Sequence, residues 1–564
     1  MDGPYIEGEV NSRGDYVPTS DEVTTYQAAR IPWASQVKYG YYTLAFLSSI
    51  LVAFTIVRAL WYFRTRYGHG SRWRLYTLTA AFLRVLTYPR FRPHSLIDWV
   101  WTFGPLGHNL LLIAGLLYAS CFTWINQYYY FPPFYGSAPL YLRSEWIAMA
   151  TLPFLFVLGS KRNIISILTG VSHEKLQVLH QGAAFIFLYM SLVHTIAAVI
   201  RLYREYGYLA QEFNDTYVSG FVALSPLLVL FVGALPPFRR CFYEAFYWVH
   251  IIMAVFFLAA MFWHGYQTLD SDAYMITTIV LFFASAAYRL AMFAFNNPVL
   301  HVATATILSH NVIKLSIPTT AVRWQPGQHV FLRFAGLRPF ESHPFSFANM
   351  PKDHTARVRT MEFIKTGQKD FVVLIDGPYG GVGSDLRAFD SVLICAGGSG
   401  ITWAMSCLQD TIQAPRSAKQ AIKLVWAVPT PDDLTWFEQE LLAIVGTRSD
   451  VQIQLYVTRE STPPGTGTIE NHRAGSTGSE EEHDPSEDKE GLTSLATTLR
   501  RPDLSSIITG TVASTQGSLV VATCGPPSFL ADCANTVAAA QISLIRGHYP
   551  EVSEVYLKSE AYGW

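Results

Sequence analysis

Charge is scarce in this chain. Only 15% of its 564 residues are Asp, Glu, Lys or Arg, against roughly 25% in soluble domains, and the deficit is concentrated before residue 295. The formal net charge of −1 supplies no field for holding nucleic acid and by itself indicates no partner. Cysteine is sparse and unpatterned: Cys121, Cys241, Cys395, Cys407, Cys524 and Cys533 form no CxxC or other metal-ligand spacing. Four of them fall in the C-terminal part, which reads as reduced and cytosolic. The first 38 residues are polar and lack the basic-then-apolar start of a cleavable signal peptide.

What the chain has instead is apolar length. Half of its residues are hydrophobic, and seven apolar spans can be drawn at about 41–63, 106–126, 145–159, 176–200, 217–236, 243–264 and 273–294. A bilayer crossing needs about 20 such residues as a helix, so the short third span is expected to be tilted or extended at either end. Basic residues set the orientation. Arg64, Arg66, Arg72, Arg74, Arg84, Arg90 and Arg92 crowd the first connection, Lys161 and Arg162 follow the third span, and Arg239 and Arg240 follow the fifth. Arg201 and Arg204 run against this pattern, but three basic connections outweigh one. The expected order is an outer tail at 1–40, a first span at 41–63, a basic cytosolic segment at 64–105 and a membrane domain at 106–294. Everything after 295 is then cytosolic. The sequon Asn214-Asp215-Thr216 falls on the outer face, open to glycosylation.

Four histidines within these spans repeat one interval. His180 and His194 are 14 residues apart in the fourth span, and His250 and His264 are 14 apart in the sixth. Fourteen residues make nearly four helical turns, so each pair shares one helix face, about 21 Å apart along the axis. Both helices run from inside to outside. His180 therefore matches His250 near the cytosolic face, and His194 matches His264 near the outer face. An isolated intramembrane histidine is ordinarily a polar residue satisfied within a bundle. The repeated interval points instead to two bis-imidazole clamps, the arrangement that holds haem iron for electron transfer. No CxxCH exists for covalent attachment, so two b-type haems are expected. Phe187 and Phe257 stand seven residues beyond the first histidine of each helix, either between two macrocycles or as ordinary bundle lining. His173 falls in the inner loop, as a solvated surface residue.

Beyond residue 299 the pattern shortens. Val299–Ile317, Val330–Phe334, Met361–Ile364 and Phe371–Ile375 read as strands, with turns at Pro326-Gly327 and Asp376-Gly377-Pro378-Tyr379-Gly380. They predict a small antiparallel barrel over 299–385. Within it, His343-Pro344-Phe345-Ser346 sets a ring, a hydroxyl and an imidazole together, a plausible flavin cradle. An α/β domain follows at 386–564. Its first strand, Asp390–Ala396, runs into Gly397-Gly398-Ser399-Gly400-Ile401-Thr402 and then a helix to Thr411. This is not GxGxxG, but glycines at a strand-to-helix turn let a phosphate approach the helix N-terminus. Further strands are expected at Ile422–Val428, Val451–Val457 and Ser518–Thr523, with a helix at Leu434–Ile444. The polar run 461–491, with Glu480-Glu481-Glu482, reads as a disordered insertion. The last of these strands ends in Cys524-Gly525-Pro526-Pro527, where open α/β sheets bind ligands.

Taken in order, a bis-His bundle, an HPFS barrel, a GGSGIT sheet and a CGPP strand resemble the fungal ferric-chelate reductases of the plasma membrane. That family is related to the NADPH oxidases, and its reductase half is similar to ferredoxin–NADP reductase. The resemblance covers roughly residues 100–564. It implies a seven-span α-helical membrane bundle with a di-haem core, an antiparallel β-barrel FAD domain and an α/β nucleotide-binding domain. FAD is then held by His343, Pro344, Phe345, Ser346 and Phe347, with Phe345 against the isoalloxazine and Ser346 near its reactive edge. Gly397, Gly398, Ser399, Gly400, Ile401 and Thr402 hold the pyrophosphate of NADPH, and Cys524, Gly525 and Pro526 lie by the nicotinamide. Trp564, closing Glu560-Ala561-Tyr562-Gly563-Trp564, covers the flavin until nicotinamide displaces it. Cys524, Ser346 and Trp564 are the catalytic candidates. One departure stands out. NADPH oxidases carry an Arg after the second sheet strand for the 2′-phosphate, where this chain has Trp426-Ala427-Val428-Pro429; Arg459, after the third strand, is the charge available instead.

The implied activity takes electrons from cytosolic NADPH to extracellular ferric chelates or siderophores, with cupric ion a further acceptor. It supports iron uptake beside an iron-uptake oxidase or permease. A superoxide-producing NADPH oxidase is the alternative. That family typically has six spans and a second His interval one residue shorter, whereas this chain has an additional N-terminal span, two intervals of 14 and no EF-hand loop. A transporter or haem sensor would have no use for the flavin and nucleotide motifs.

Overall fold

The computed structural model describes residues 6–12, 14–30, 34–67, 74–92, 104–125, 139–206, 215–309, 312–350, 355–361, 370–381, 385–413, 420–459 and 497–561. Asn214, the run 461–491 and Trp564 lie outside the described residues. The chain divides into two units, one of residues 1–64 with 93–292 and one of 65–92 with 293–564.

The first unit is a helical bundle. Its long helices are α1 (Lys38–Tyr67, its last residues belonging to the second unit), α3 (Leu106–Trp124), α4 (Pro139–Gly159), α5 (His173–Tyr206), α6 (Asp215–Gly233), α7 (Tyr243–Gly265) and α8 (Ser271–Asn296), which ends in the second unit. All seven are long and apolar enough to cross a membrane, where helical hydrogen bonding satisfies the backbone without water. The short third span is extended at its N-terminal end, starting at Pro139 rather than 145. The reason is burial. Its apolar window is 72% buried, against 6–22% for the other six spans. A helix ringed by helices can carry Arg143, Ser144 and Glu145, which masked its start from a hydropathy reading. An eighth apolar helix, Pro527–Ile545, meets the length criterion with half its window buried, but it packs on the sheet of the second unit through Cys533, Val537 and Leu544 and is no span.

In the second unit, six antiparallel strands, β1 (His301–Ser309), β2 (Val312–Pro318), β3 (Gln328–Phe334), β4 (Arg338–Ser346), β5 (Thr355–Met361) and β6 (Asp370–Gly380), take the order β4-β3-β6-β1-β2-β5. A bridge from Phe347 to Val358 joins the two ends, so the sheet closes into a barrel. Its interior holds Trp324, Phe334, Phe345, Phe347 and Val358. The run expected as Val299–Ile317 is two strands, β1 and β2.

Six strands of one parallel sheet follow: β7 (Ser391–Gly397), β8 (Ala421–Val428), β9 (Val451–Val457), β10 (Thr497–Thr498), β11 (Gly517–Gly525) and β12 (Val552–Ala561), ordered β10-β9-β8-β7-β11-β12. The flanking helices are α9 (Ile401–Gln413), α10 (Glu438–Thr447), α11 (Leu504–Ser514) and α12 (Pro527–Ile545). The helix expected at Leu434–Ile444 is instead a 3-10 turn, Pro431–Phe437, running into α10. Thr430 and Asp433 form a reciprocal cap with Pro431 behind it, which starts the turn early. Strand order reverses between β7 and β11, the switch point at which such sheets bind ligands. The helix α2 (Arg74–Thr87), drawn from the basic segment before the second span, also belongs to this unit.

Candidate functional site

In the bundle, the four histidines meet in the expected couples. The rings of His180 and His250 have centroids 6.3 Å apart, and those of His194 and His264 are 6.2 Å apart. Neighbouring groups fix three of the rings. His180 Nδ1–H donates to the carbonyl of Leu155 at 3.0 Å, and His194 Nδ1–H to that of Tyr141 at 3.0 Å. His264 Nδ1 lies 3.1 Å from Ser219 Oγ, whose own hydrogen goes to the Thr216 carbonyl. Ser219 therefore accepts from the imidazole. In all three rings Nδ1 carries the proton, which leaves Nε2 as the bare nitrogen available to a metal. Phe246 packs against the fourth ring, His250, at 5.3 Å. Midway between the couples, Phe187 and Phe257 are buried and meet edge to face at 5.7 Å.

Two glycines make this geometry possible. A Cβ on Gly159 would stand 3.1 Å from Cε1 of His180, and one on Gly220 would stand 3.0 Å from Cε1 of His264. Sequence reasoning passed over both. The available signal was a glycine inside an apolar helix, which marks a close approach. The carbonyl partners at Leu155 and Tyr141 left no sequence signal. His173 differs from expectation: it is the first residue of α5, buried, with Nδ1 3.4 Å from Glu174 Oε1. The helix begins seven residues before His180 and takes His173 in with it.

At the switch point of the parallel sheet, the two glycine-bearing turns interlock. β7 ends at Gly397, a 3-10 turn spans Gly398–Gly400, and α9 begins at Ile401. Gly398 has φ +56°, the left-handed region that glycine enters freely. A Cβ on Gly400 would lie 2.4 Å from the Cys524 carbonyl oxygen and 3.1 Å from its Sγ, and one on Gly397 would lie 2.9 Å from Pro526. Trp426 Nε1–H donates to the Gly398 carbonyl at 3.1 Å and holds the turn from β8. Ser399 is exposed, whereas Ile401 and Thr402 are buried in the first turn of α9. The Ile401 N–H is given to the carbonyls of Gly398 and Ser399, so it closes the turn and is not offered to an anion.

Cys524 is fully buried at the C-terminal end of β11, in register with Glu560 on β12. Burial first, and then the nearby Glu560, push its thiol well above the usual range. A neutral buried thiol is no nucleophile; Cys524 packs beneath the Gly400 turn. Lys558 is also buried here, its Nζ 5.9 Å from the Trp403 ring centre. Arg459 is exposed just beyond β9, and its backbone N–H donates to the Pro429 carbonyl at 3.0 Å. That bond sets it beside the end of β8, where the sequence has no cation of its own.

On the barrel, β4 carries the His343–Ser346 motif, paired with β3. His343 is partly exposed, with Nε2 3.2 Å from Glu341 Oε2. Pro344 is partly exposed and Ser346 buried. Phe345 corrects the sequence reading. It is 2% exposed, packed on Phe334 at 6.1 Å inside the barrel, and so presents no face for a flavin to stack on. Phe347 is likewise interior, stacked on Trp324 at 4.5 Å. The two-residue period of a strand sends 345 and 347 to the same side, here the core.

Three family models match in chain order. Residues 144–261 match the ferric reductase like transmembrane component, 297–362 an FAD-binding domain, and 389–538 the ferric reductase NAD binding domain. Among curated proteins, a "probable cell surface ferric reductase" of Aspergillus oryzae is 34% identical over 377 residues, 60% of this chain and 50% of that protein. "Ferric/cupric reductase transmembrane component 7" of Saccharomyces cerevisiae is 28% identical over 480 residues, 78% of this chain and 76% of the relative. The chain thus spans half the length of the first relative and about three quarters of the second. A histidine-bearing bundle, a closed barrel and interlocked glycine turns thus occur in the order of those three models, and the chain is similar to ferric reductases with a transmembrane component followed by FAD- and NAD-binding domains.

Proposed function

We propose that this chain is a transmembrane ferric-chelate reductase that takes electrons from cytosolic NADPH and delivers them to ferric chelates outside the plasma membrane, with cupric ion a further acceptor. The domain reading is a haem-binding part within 106–294, FAD at 299–385 and NADPH at 386–564. The observation that carries the proposal is the separation within the two histidine couples. An imidazole nitrogen lies about 1.2 Å from its ring centre and metal–imidazole bonds run about 2.0–2.1 Å, so two rings on one metal have centroids about 6.4 Å apart. The 6.3 and 6.2 Å couples fit that distance. Two imidazoles alone under-coordinate a bare ion, and no group of three or more His, Cys, Asp or Glu suited to a metal occurs among the described residues. Haem fits, since its macrocycle supplies four equatorial nitrogens and needs two axial ones. His180 with His250 and His194 with His264 would be those axial ligands.

When bound, FAD takes up a hydride and gives its electrons singly, and haem irons relay single electrons. The chain's own residues bind and orient. The two imidazoles of each couple would hold the iron between them, leaving it to electron transfer and not to oxygen binding. Gly398, Ser399 and Gly400, in the turn before α9, would let a pyrophosphate approach the backbone closely, with buried Cys524 packed beneath the turn. Arg459, whose backbone N–H bond to the Pro429 carbonyl sets it beside the end of β8, is the cation proposed for a 2′-phosphate. Pro344 and Ser346, on the opposite side of β4 from Phe345, are the barrel residues proposed to reach the flavin, with His343, on the Phe345 side but partly exposed, proposed toward its phosphates. Trp564, with Cys524, is proposed to govern access of the nicotinamide.

The orientation has independent support. Residues 84–92 hydrogen-bond to the sheet of the nucleotide-binding unit, so both lie on one side of the membrane. Six spans then separate residue 92 from 297, an even number that returns the chain to that side. This supports the proposal that the N-terminal tail lies on the opposite, outer face. Iron uptake with a partner oxidase or permease is the physiological setting proposed.

The test uses purified full-length protein with NADPH and parallel acceptors: ferric chelate, cupric salt and oxygen. Ferric chelate reduced fastest, with two b-type haems per chain by pyridine haemochrome, is the expected result. Oxygen as preferred acceptor, with superoxide formed, would make the chain an oxidase; one haem or none would remove the double clamp.

A further inference from the structure

The nucleotide-binding sheet has a bare flank that a distant part of the chain covers. β12 is an edge strand, and an edge strand leaves every second residue with backbone groups pointing away from its neighbour. The Leu557 N–H is taken up by a residue some 470 positions earlier, and the Val555 carbonyl is shared between another such residue and Gln541 of α12 at 2.8 Å. Arg84 Nη1 donates to the Val555 carbonyl at 3.0 Å, and Tyr88 OH accepts from the Leu557 N–H at 3.4 Å. Arg84 also forms an ion pair with Glu554, with side chains 10% and 4% exposed, and its guanidinium lies 5.3 Å from the Tyr556 ring centre. Arg90 completes the cover. Its Nη2 donates to Ser559 Oγ at 3.0 Å, while its backbone N–H and carbonyl clasp the Asn535 amide at 2.9 and 3.1 Å. Arg92 meets Asp532 at 3.0 Å, but both are exposed and add little.

β12 leads into the crevice. Between Ser559, which Arg90 holds, and the end of the strand stands Glu560, in register with Cys524. One residue before Ser559 is Lys558, set against Trp403 on the helix that leaves the glycine turn. A shift of β12 along its edge would carry both charged side chains with it.

We propose that residues 74–92 are a brace for the nucleotide site: Arg84, Tyr88 and Arg90 fix β12, and through it position Lys558 and Glu560 beside Cys524. Arg84 and Arg90 are positioning residues, since neither reaches the crevice itself. The part of this inference that concerns NADPH rests on the function proposed above; the part that concerns β12 does not. Surface arginines of a cytosolic loop would serve charge balance alone and tolerate substitution. A buried ion pair and a covered strand edge predict the opposite.

The test uses the full chain in lipid nanodiscs, comparing Arg90→Ala, Arg84→Glu, Glu554→Arg and the double exchange Arg84→Glu with Glu554→Arg. Amide hydrogen exchange over residues 552–561, bound FAD and NADP⁺ affinity are measured on each. In the single variants the β12 amides should exchange about tenfold faster or more, and the Kd for NADP⁺ should rise about tenfold, with FAD content unchanged. The double exchange should recover both. Arg90→Ala covers the case in which a buried charge reversal fails to fold, because it leaves the ion pair intact. Unchanged exchange and affinity in Arg90→Ala and in either charge reversal would overturn the brace, as would loss of FAD in parallel with nucleotide affinity. Absence of NADP⁺ binding in the wild-type protein would instead sink the proposed function, and amide exchange would then decide the brace alone.

Discussion

The bundle and the nucleotide-binding sheet build their sites from opposite materials. In the bundle four side chains make the proposed site, and glycines only clear room for them. In the sheet the glycines make the proposed site, and side chains such as Trp426 and Cys524 hold the backbone in place. The surroundings explain the contrast. In lipid a polar side chain is costly and tends to be kept for a purpose, so His180, His194, His250 and His264 stand out against their helices. In a water-facing domain polar residues are common, and a phosphate site is marked instead by missing side chains that let the backbone approach.

The largest test breaks the bundle's half of that contrast. His194→Ala removes one arm of the outer clamp and leaves the couple 180/250 intact. Ferric reduction should fall by more than about a hundredfold, and haemochrome analysis should find one haem instead of two. NADPH-dependent reduction of a soluble dye should persist, because that path ends before the membrane. Equal loss of dye reduction in folded protein would show that the electron order is wrong.

The next test strikes the sheet through a residue with no side chain. Gly400→Ala places a methyl 2.4 Å from a backbone oxygen, which cannot move aside as a flexible side chain would. Destabilisation of about 3 kcal/mol and loss of NADP⁺ binding are expected, read by thermal unfolding and nucleotide titration. A wild-type melting temperature would mean that the turns are not interlocked.

A smaller effect separates charge from shape in the same crevice. Arg459→Glu should raise the KM for NADPH about thirtyfold, about 2 kcal/mol, and leave that for NADH nearly unchanged. Equal weakening of both nucleotides would assign Arg459 to the fold and not to the 2′-phosphate.

The smallest is a pH effect confined to the buried thiols. Burial pushes Cys407 from 9.0 up to about 11, so the folded state holds this proton more tightly than the unfolded chain does. The stability it contributes is complete below pH 9 and is lost as pH rises toward 11. At pH 10 the loss is about 1.4 kcal/mol. Cys407→Ala should unfold with a shallower alkaline slope than the wild type; identical slopes would place the titration elsewhere.

Much of the fold and site was legible because it rests on local pattern. Apolar length marked the spans, the 14-residue interval marked the couples, and strand–glycine–helix order marked the crevice. The third span was drawn short because an inner helix is not obliged to be apolar all round, and its N-terminal part carries Arg143 and Glu145. Phe345 was assigned to the flavin because its neighbours in sequence suit that role, whereas strand alternation turns its ring into the barrel. Trp564 and Asn214 lie outside the described residues, and their roles stay as the sequence suggests them.

What the sequence determined by itself was the identity and spacing of the groups that do chemistry, since helical pitch and strand period act over a few residues and can be counted. Beyond the histidine couples, tertiary structure decided who meets whom. It set Gly159 and Gly220 against the imidazoles, locked Gly400 beneath Cys524, brought Arg459 to the end of β8, and carried Arg84 and Arg90 to a strand some 470 residues away. None of these contacts has a period, because each is fixed by packing between elements that the chain order keeps apart.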